Sequence, residues 1–108
     1  MANIKLEYAA SAAVTITLAS LATSATLVAG QESTAVDNST DKYLDFLLAG
    51  KITTGTTPTT AKEIRVYVAG LVEDSTYPDV LDGTNSAETI TSADIRDAAL
   101  KLAAVLAT

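Results

Sequence analysis

The sequence predicts an all-β protein, and two observations carry that prediction. Several short segments alternate between apolar and polar residues with a period of two, which is the pattern of strands with one buried face. Clusters of Asp, Asn, Ser, Thr, Gly and Pro, which favour turns, separate these segments. The 17 threonines favour strands and the 20 alanines favour helices, so the alternation decides between them. A chain of 108 residues fits one domain.

The first part of the chain contains three predicted strands. Residues 4–8 alternate, and we expect residues 1–12 to form an N-terminal arm or short strand ahead of a single domain over residues 13–108. Within that domain, residues 13–21 alternate strictly, and residues 26–32 form a shorter strand that ends near Gly30. The following residues, 33–41, are predicted to be a loop, because their polar side chains hydrogen-bond to their own backbone.

The strongest alternation lies in the middle of the chain. Residues 44–52 and residues 63–68 each place apolar side chains on one face, so we expect two facing strands. The Thr-rich segment 53–60 between them has almost nothing to bury and is predicted to be an exposed hairpin loop. A second loop covers residues 74–88, with a turn at Asp82-Gly83.

Residues 91–108 fit two patterns. Thr91 or Ser92 could cap a helix whose apolar residues recur from Ile95 onward at helical spacing. Read in twos, the stretch from Leu100 to Leu106 instead suits a central strand, and the β character of the other segments favours this interpretation. The chain also stops on an apolar run, so we expect a truncated domain or a tail seated in a partner.

Composition excludes several classes of function. The chain has no His and no Cys, which removes Ser-His-Asp triads, Cys-His dyads, thiolate zinc sites and imidazole metal sites. A net charge of -6 argues against nucleic-acid binding, which needs concentrated positive charge. No apolar run approaches the roughly 20 residues of a membrane-spanning helix. We therefore expect no enzyme, no catalytic residue, no cofactor, no metal, no nucleic-acid partner and no membrane partner.

The acidic loops contain candidate metal-binding and catalytic residues. Two sets of side chains have loose calcium-loop spacing: Asp79, Asp82 and Asn85, and Asp37, Asn38 and Asp41. Neither set has the ordered alternate-position ligands of a calcium loop, so turn formation is the favoured interpretation. Paired carboxylates could also serve glycoside hydrolysis, but such sites usually add aromatic platforms for the sugar. The chain has no Trp and offers only five aromatic residues: Tyr8, Tyr43, Phe46, Tyr67 and Tyr77.

Four runs of sequence are distinctive: ESTAVDNST from Glu32 to Thr40, YLDFLLAGKITTGTTPT from Tyr43 to Thr59, EIRVYVAG from Glu63 to Gly70, and YPDVLDGTNSAET from Tyr77 to Thr89. Together these runs resemble a set of small virion-associated structural proteins of tailed bacteriophages. The resemblance covers roughly residues 14–108, and its most specific parts are ESTAVDN and YPDVLDGT. These segments carry no known chemistry, so the resemblance transfers no catalytic residue.

The resemblance implies an antiparallel β-sandwich of jelly-roll type that acts in the virion as a capsid decoration or cement protein. Such a protein binds and stabilises the major capsid lattice, so we expect the major capsid protein or other virion proteins as partners. We also expect a homo-oligomer, specifically a trimer, because decoration proteins commonly sit at local three-fold positions. Residues 1–12 and 53–60 are the expected contact segments. Similar proteins continue past the equivalent of Thr108 into further strands, which again leads us to expect a C-terminal truncation.

Three other functions stay open at this point. The chain could be a tail or head-fibre component of the virion. It could be a carbohydrate-binding or adhesive β-sandwich, which predicts an exposed aromatic cluster that includes Tyr67 and Tyr77. An enzyme would have to work with Asp, Glu, Tyr, Lys and Ser alone, and would need a pocket that holds at least two carboxylates.

Overall fold

The computed structural model describes residues 10–19, 21–57 and 59–107. Its strands and helix follow one another as β1 (Ala29–Gln31), β2 (Glu63–Val68), β3 (Ala87–Thr89), α1 (Ala93–Ala99) and β4 (Lys101–Ala107). The strands form two antiparallel two-stranded sheets, β1 with β3 and β2 with β4. The chain is mostly β with antiparallel pairing, as predicted, but α1 departs from the all-β prediction, because Ser92 caps a short helix there. The predicted strand over residues 4–8 lies outside the described residues.

The β2–β4 sheet is the longer of the two. Ile64 lies opposite Leu106, so that apolar side chains pair across the two strands. The register shifts between Val66 and Tyr67, which leaves Ala103 of β4 without an opposite residue. This extra residue is a β-bulge, which bends its strand and increases the local twist.

The C-terminal segment contains both structures that its sequence allowed. The Ser92 hydroxyl accepts a hydrogen bond of 3.1 Å from the Ile95 amide, so Ser92 caps α1 as predicted. The helix ends at Leu100, whose backbone is extended, and β4 follows directly. The helical and the strand interpretations are therefore each correct for one part of residues 91–107. Among the described residues, however, β4 pairs with β2 alone and is exposed along its length, so it is not the central strand that was predicted.

The predicted pairing of residues 44–52 with residues 63–68 is wrong. The second segment is β2 as expected, but its neighbour is β4, and residues 44–52 form no strand. A short turn fixes the register of a hairpin, whereas the connection over residues 53–62 is too long to do so. The helix α1, by contrast, leads straight into β4. β4 occupies one edge of β2 as a result.

The predicted strand over residues 13–21 is also absent from the described part of that segment. The Thr17 amide donates to the Asn85 side chain at 2.9 Å, and the Thr15 carbonyl accepts from the Thr34 amide at 2.9 Å. These isolated hydrogen bonds satisfy single backbone groups of the segment and do not form the repeated ladder of a β-sheet. The strand predicted over residues 26–32 is confirmed within the shorter bounds of β1.

Few side chains are buried. Among the described residues, Ile90 is buried with 7% of its surface exposed, and the other buried residues are Pro78 and Arg96. The accessible surface is 8899 Å², whereas a compact monomer of 11.1 kDa has about 5,700 Å². The fold consequently leaves much of its apolar surface in contact with solvent.

Gly83 provides a test of the turn at residues 82–83. Its φ is 80°, and a Cβ there would lie 3.0 Å from the Tyr77 ring. We expect Gly83→Ala to lower the free energy of unfolding, measured by urea titration, by about 2 kcal/mol, because the alanine would be strained and crowded. The matched control is Gly70→Ala, which places its Cβ in open space. Equal effects of the two substitutions would contradict this account.

Candidate functional site

The Glu32 carboxylate joins two loops that are distant in sequence. It accepts hydrogen bonds from the Gly83 amide at 2.6 Å and from the Asp82 amide at 3.2 Å. The Glu32 amide donates in turn to the Ser86 carbonyl at 2.8 Å, and the Ala35 amide donates to the Gly83 carbonyl at 2.9 Å. We call the contact of the Glu32 carboxylate with the two amides the Glu32 clamp. It connects ESTAVDN directly with YPDVLDGT, the two most distinctive segments of the sequence.

A second polar contact adjoins the clamp through Asn85. The Asn85 side-chain oxygen accepts from the Gln31 amide group at 2.8 Å and from the Thr17 backbone amide at 2.9 Å. Its NH₂ group donates to the Thr17 hydroxyl at 2.7 Å. One side chain therefore holds the segment around Thr17 and the end of β1 against the second loop.

The acidic residues considered as calcium or catalytic candidates are engaged within the loops. The Asp79 carboxylate accepts from the Thr91 hydroxyl and amide, both at 2.7 Å. The Asp82 carboxylate accepts from the Thr84 hydroxyl at 2.5 Å and from its amide at 2.9 Å. These hydrogen bonds lower the pKa of both carboxyl groups below the ordinary value of 3.8. Both groups are ionised at neutral pH; Asp82 accepts within its own turn, whereas Asp79 joins its loop to Thr91, twelve positions further along the chain.

The other acidic loop has the same character. The Asp37 carboxylate accepts from the Ser39 amide at 2.7 Å, and hydrogen bonds from Ser39 lower the pKa of Asp37. The Asn38 side chain closes the loop, because it accepts from the Tyr43 amide at 2.8 Å and donates to the Tyr43 carbonyl at 2.9 Å. Across the ranges that the structure describes, Asp, Glu, His and Cys side chains do not gather in threes or more as a metal site requires.

Arg96 is a structural residue that the sequence did not indicate. It is 7% exposed, and its Nη1 donates to the Thr26 carbonyl at 2.7 Å and to the Leu27 carbonyl at 3.2 Å. Its guanidinium also forms an ion pair with Asp97 at 2.8 Å, which lowers the pKa of Asp97. The same group lies 5.7 Å from the centre of the Tyr67 ring. Arg96 thus ties α1 to the chain before β1 and to β2.

The aromatic residues expected in a sugar-binding cluster each have a contact within the chain. Tyr67 lies beneath Arg96, and Tyr77 packs against Gly83. Both tyrosines are half-buried. Phe46 differs, because it is 69% exposed.

The most exposed apolar side chains lie in residues 44–52, which we call the apolar segment. Leu44 is 104% exposed, Leu47 is 92% exposed and Leu48 is 50% exposed. Other large hydrophobic side chains are exposed at scattered positions: Val14, Ile16, Leu21, Val36, Leu71, Val72, Val80, Ile95, Leu102, Val105 and Leu106. Large exposed apolar areas on a protein typically mark the sites where it binds another molecule.

Comparisons with known proteins identify no relative of the chain. No protein-family model, curated protein or solved structure matches the chain. In the described ranges, no helix has the length and apolar character needed to cross a membrane. Any assignment of function therefore depends on the residues and on their geometry.

The Glu32 clamp can be tested by substitution. We expect Glu32→Ala to lower the free energy of unfolding by about 2 kcal/mol in urea titrations, because two backbone amides lose a charged acceptor. Glu73→Ala is the matched control, since the Glu73 side chain makes no hydrogen bond to the described residues. A Glu32→Ala variant as stable as the Glu73→Ala variant would show that the clamp contributes nothing.

The lowered pKa values predict an acid-sensitive fold. A carboxyl group whose pKa is lower in the folded than in the unfolded chain stabilises the fold above its unfolded pKa, here 3.8, and this contribution is lost as the pH falls through the folded pKa. We expect the urea midpoint to decline below about pH 4. Asp79→Asn should flatten this decline, whereas the control Asp74→Asn, at a carboxylate without a hydrogen bond to the described residues, should leave it unchanged. An identical pH profile for Asp79→Asn would contradict the assignment.

Proposed function

We propose that the chain is a non-enzymatic structural protein of a tailed-bacteriophage virion, a capsid decoration or cement protein that binds and stabilises the major capsid lattice. The observation that carries the proposal is the imbalance between buried and exposed apolar side chains. Within the described ranges, Ile90 is the buried hydrophobic core, while Leu44 and Leu47 are almost fully exposed. Burial of one such leucine side chain contributes about 2 kcal/mol. A protein surface that covers the apolar segment would therefore stabilise the chain substantially.

The hydrogen bonding of the acids supports a structural role. Catalytic carboxylates face a substrate, and a general acid needs a raised pKa. The carboxylates of Glu32, Asp79 and Asp82 instead bond to the chain itself, and the pKa values of Asp79 and Asp82 are lowered. With no His and no Cys in the sequence, these contacts favour a protein that acts through its surfaces.

The charge and the sequence resemblance favour the head of the particle. A net charge of -6 suits the outer face of a shell, away from packaged DNA. The resemblance of ESTAVDN and YPDVLDGT to virion-associated proteins favours the same location. In this proposal the partners are the major capsid protein, or other virion proteins, and further copies of the chain in a trimer at local three-fold positions. The two described sheets then belong to an antiparallel, jelly-roll-like sandwich that is covered in the assembled particle.

Quantitative mass spectrometry of purified phage particles tests the proposal. We expect a copy number in the hundreds relative to the major capsid protein, because a decoration protein repeats with the lattice. A handful of copies would assign the chain to a tail or head fibre instead. Absence from particles of the phage that encodes the chain would overturn the virion role.

A further inference from the structure

One edge of the sheet formed by β2 and β4 has no partner strand among the described residues. Among the described residues, β4 is the only strand that pairs with β2, so the outer edge of β2 has no neighbouring strand. Backbone N–H and C=O groups along such an edge remain available to an added strand. β2 also alternates between an apolar face, which carries Ile64, Val66 and Val68, and a second face with Arg65.

The apolar segment has the complementary property. It alternates as a strand does, but no described strand pairs with it. Its start is held in place by the two hydrogen bonds between Asn38 and Tyr43. Beyond that point Leu44, Phe46 and Leu47 are mostly or fully exposed. The segment therefore has the alternating sequence of a strand, and no described strand pairs with it.

We infer that the apolar segment of one copy adds as a third, antiparallel strand to the outer edge of β2 in a second copy. Phe46 then lies opposite Val66 and Leu48 opposite Ile64, so that two apolar faces become continuous. The inference rests on the proposed function for the expectation that copies associate. It goes further because it names the two segments that join them.

The apolar pattern defines this register. A shift by one residue would move Phe46 next to Arg65 and turn the apolar side chains to the other face. With Phe46 opposite Val66, Asp45 lies diagonally beside Arg65 of the other copy. Arg65 already forms an ion pair with Glu63 of its own strand, so Asp45 would be a second carboxylate beside the same guanidinium.

A second copy is the partner that this geometry favours. Within one chain the apolar segment stays apart from β2, although residues 53–62 would allow the two to meet. Each copy has one apolar segment that can be added and one outer β2 edge that can receive it. In a closed ring of copies, every apolar segment therefore pairs with the β2 edge of a neighbouring copy. A ring of three copies obeys this rule and agrees with the proposed trimer.

Disulfide trapping in the full chain tests the exchange. Because the sequence has no Cys, the variant Phe46→Cys/Val66→Cys contains a single engineered pair. We expect mild oxidation to link copies covalently through residues 46 and 66, as seen on non-reducing gels and by peptide mass spectrometry. The control Phe46→Cys/Arg65→Cys places its two thiols on opposite faces and should give much less product. A disulfide within one monomer, or equal yields from both variants, would overturn the inference.

Sedimentation measurements give a second, independent test. We expect the unmodified chain to associate, and Phe46→Asp to weaken this association by about tenfold or more. Val72→Asp is the matched control, because Val72 is 66% exposed and Phe46 is 69% exposed. The control should associate like the unmodified chain. A monomeric unmodified chain, or equal weakening by both substitutions, would contradict strand exchange.

The two proposals can fail separately. Particles that contain many copies, together with a purified chain that forms no disulfide between residues 46 and 66 of different copies, would overturn the strand exchange and leave the virion role intact. A chain that exchanges strands but is absent from particles would overturn the virion role alone.

Discussion

The hydrogen bonds of the Glu32 carboxylate determine how the first half of the chain meets the second. They join residues about fifty positions apart, and β1 pairs with β3 beside them. In most domains a buried apolar core defines such contacts. Here Ile90 is the buried hydrophobic residue of the described ranges, so polar tethers from Glu32, Asn85 and Arg96 perform this role. The architecture depends on side chains that accept or donate several hydrogen bonds each.

Local sequence signals predicted some of the local structure, but among the described residues the alternation in residues 13–21 and 44–52 did not produce strands. The alternation in residues 63–68, the turn at Asp82-Gly83 and the Ser92 cap all lie where they were expected, because each depends on a few neighbouring residues. The equally clear alternation in residues 44–52 was misleading as a prediction of strand pairing. Alternation shows that one face of a segment is apolar, but the choice between partners depends on long-range contacts. β4 pairs with β2, where residues 44–52 were expected to pair.

The site was predictable to a similar extent. Turn formation was the favoured interpretation of the acidic residues, and the bond from Thr84 to Asp82, two positions apart, follows from that pattern. The contact between Asp79 and Thr91 spans twelve positions and has no local signal. The burial of Arg96 had none either, since an arginine in a polar helix is usually solvated. The backbone carbonyls of Thr26 and Leu27, which bind it, become neighbours only in the folded chain.

The extra residue in β4 bears on how far assembly can proceed. A flat, regular strand rich in apolar residues is a template for open-ended fibrils, in which every added copy exposes a fresh edge. Ala103 interrupts the even spacing of β4, and the added twist prevents an identical strand from stacking along its full length. The bulged edge of β4 is consequently a poorer template for an added strand than a regular edge of the same length.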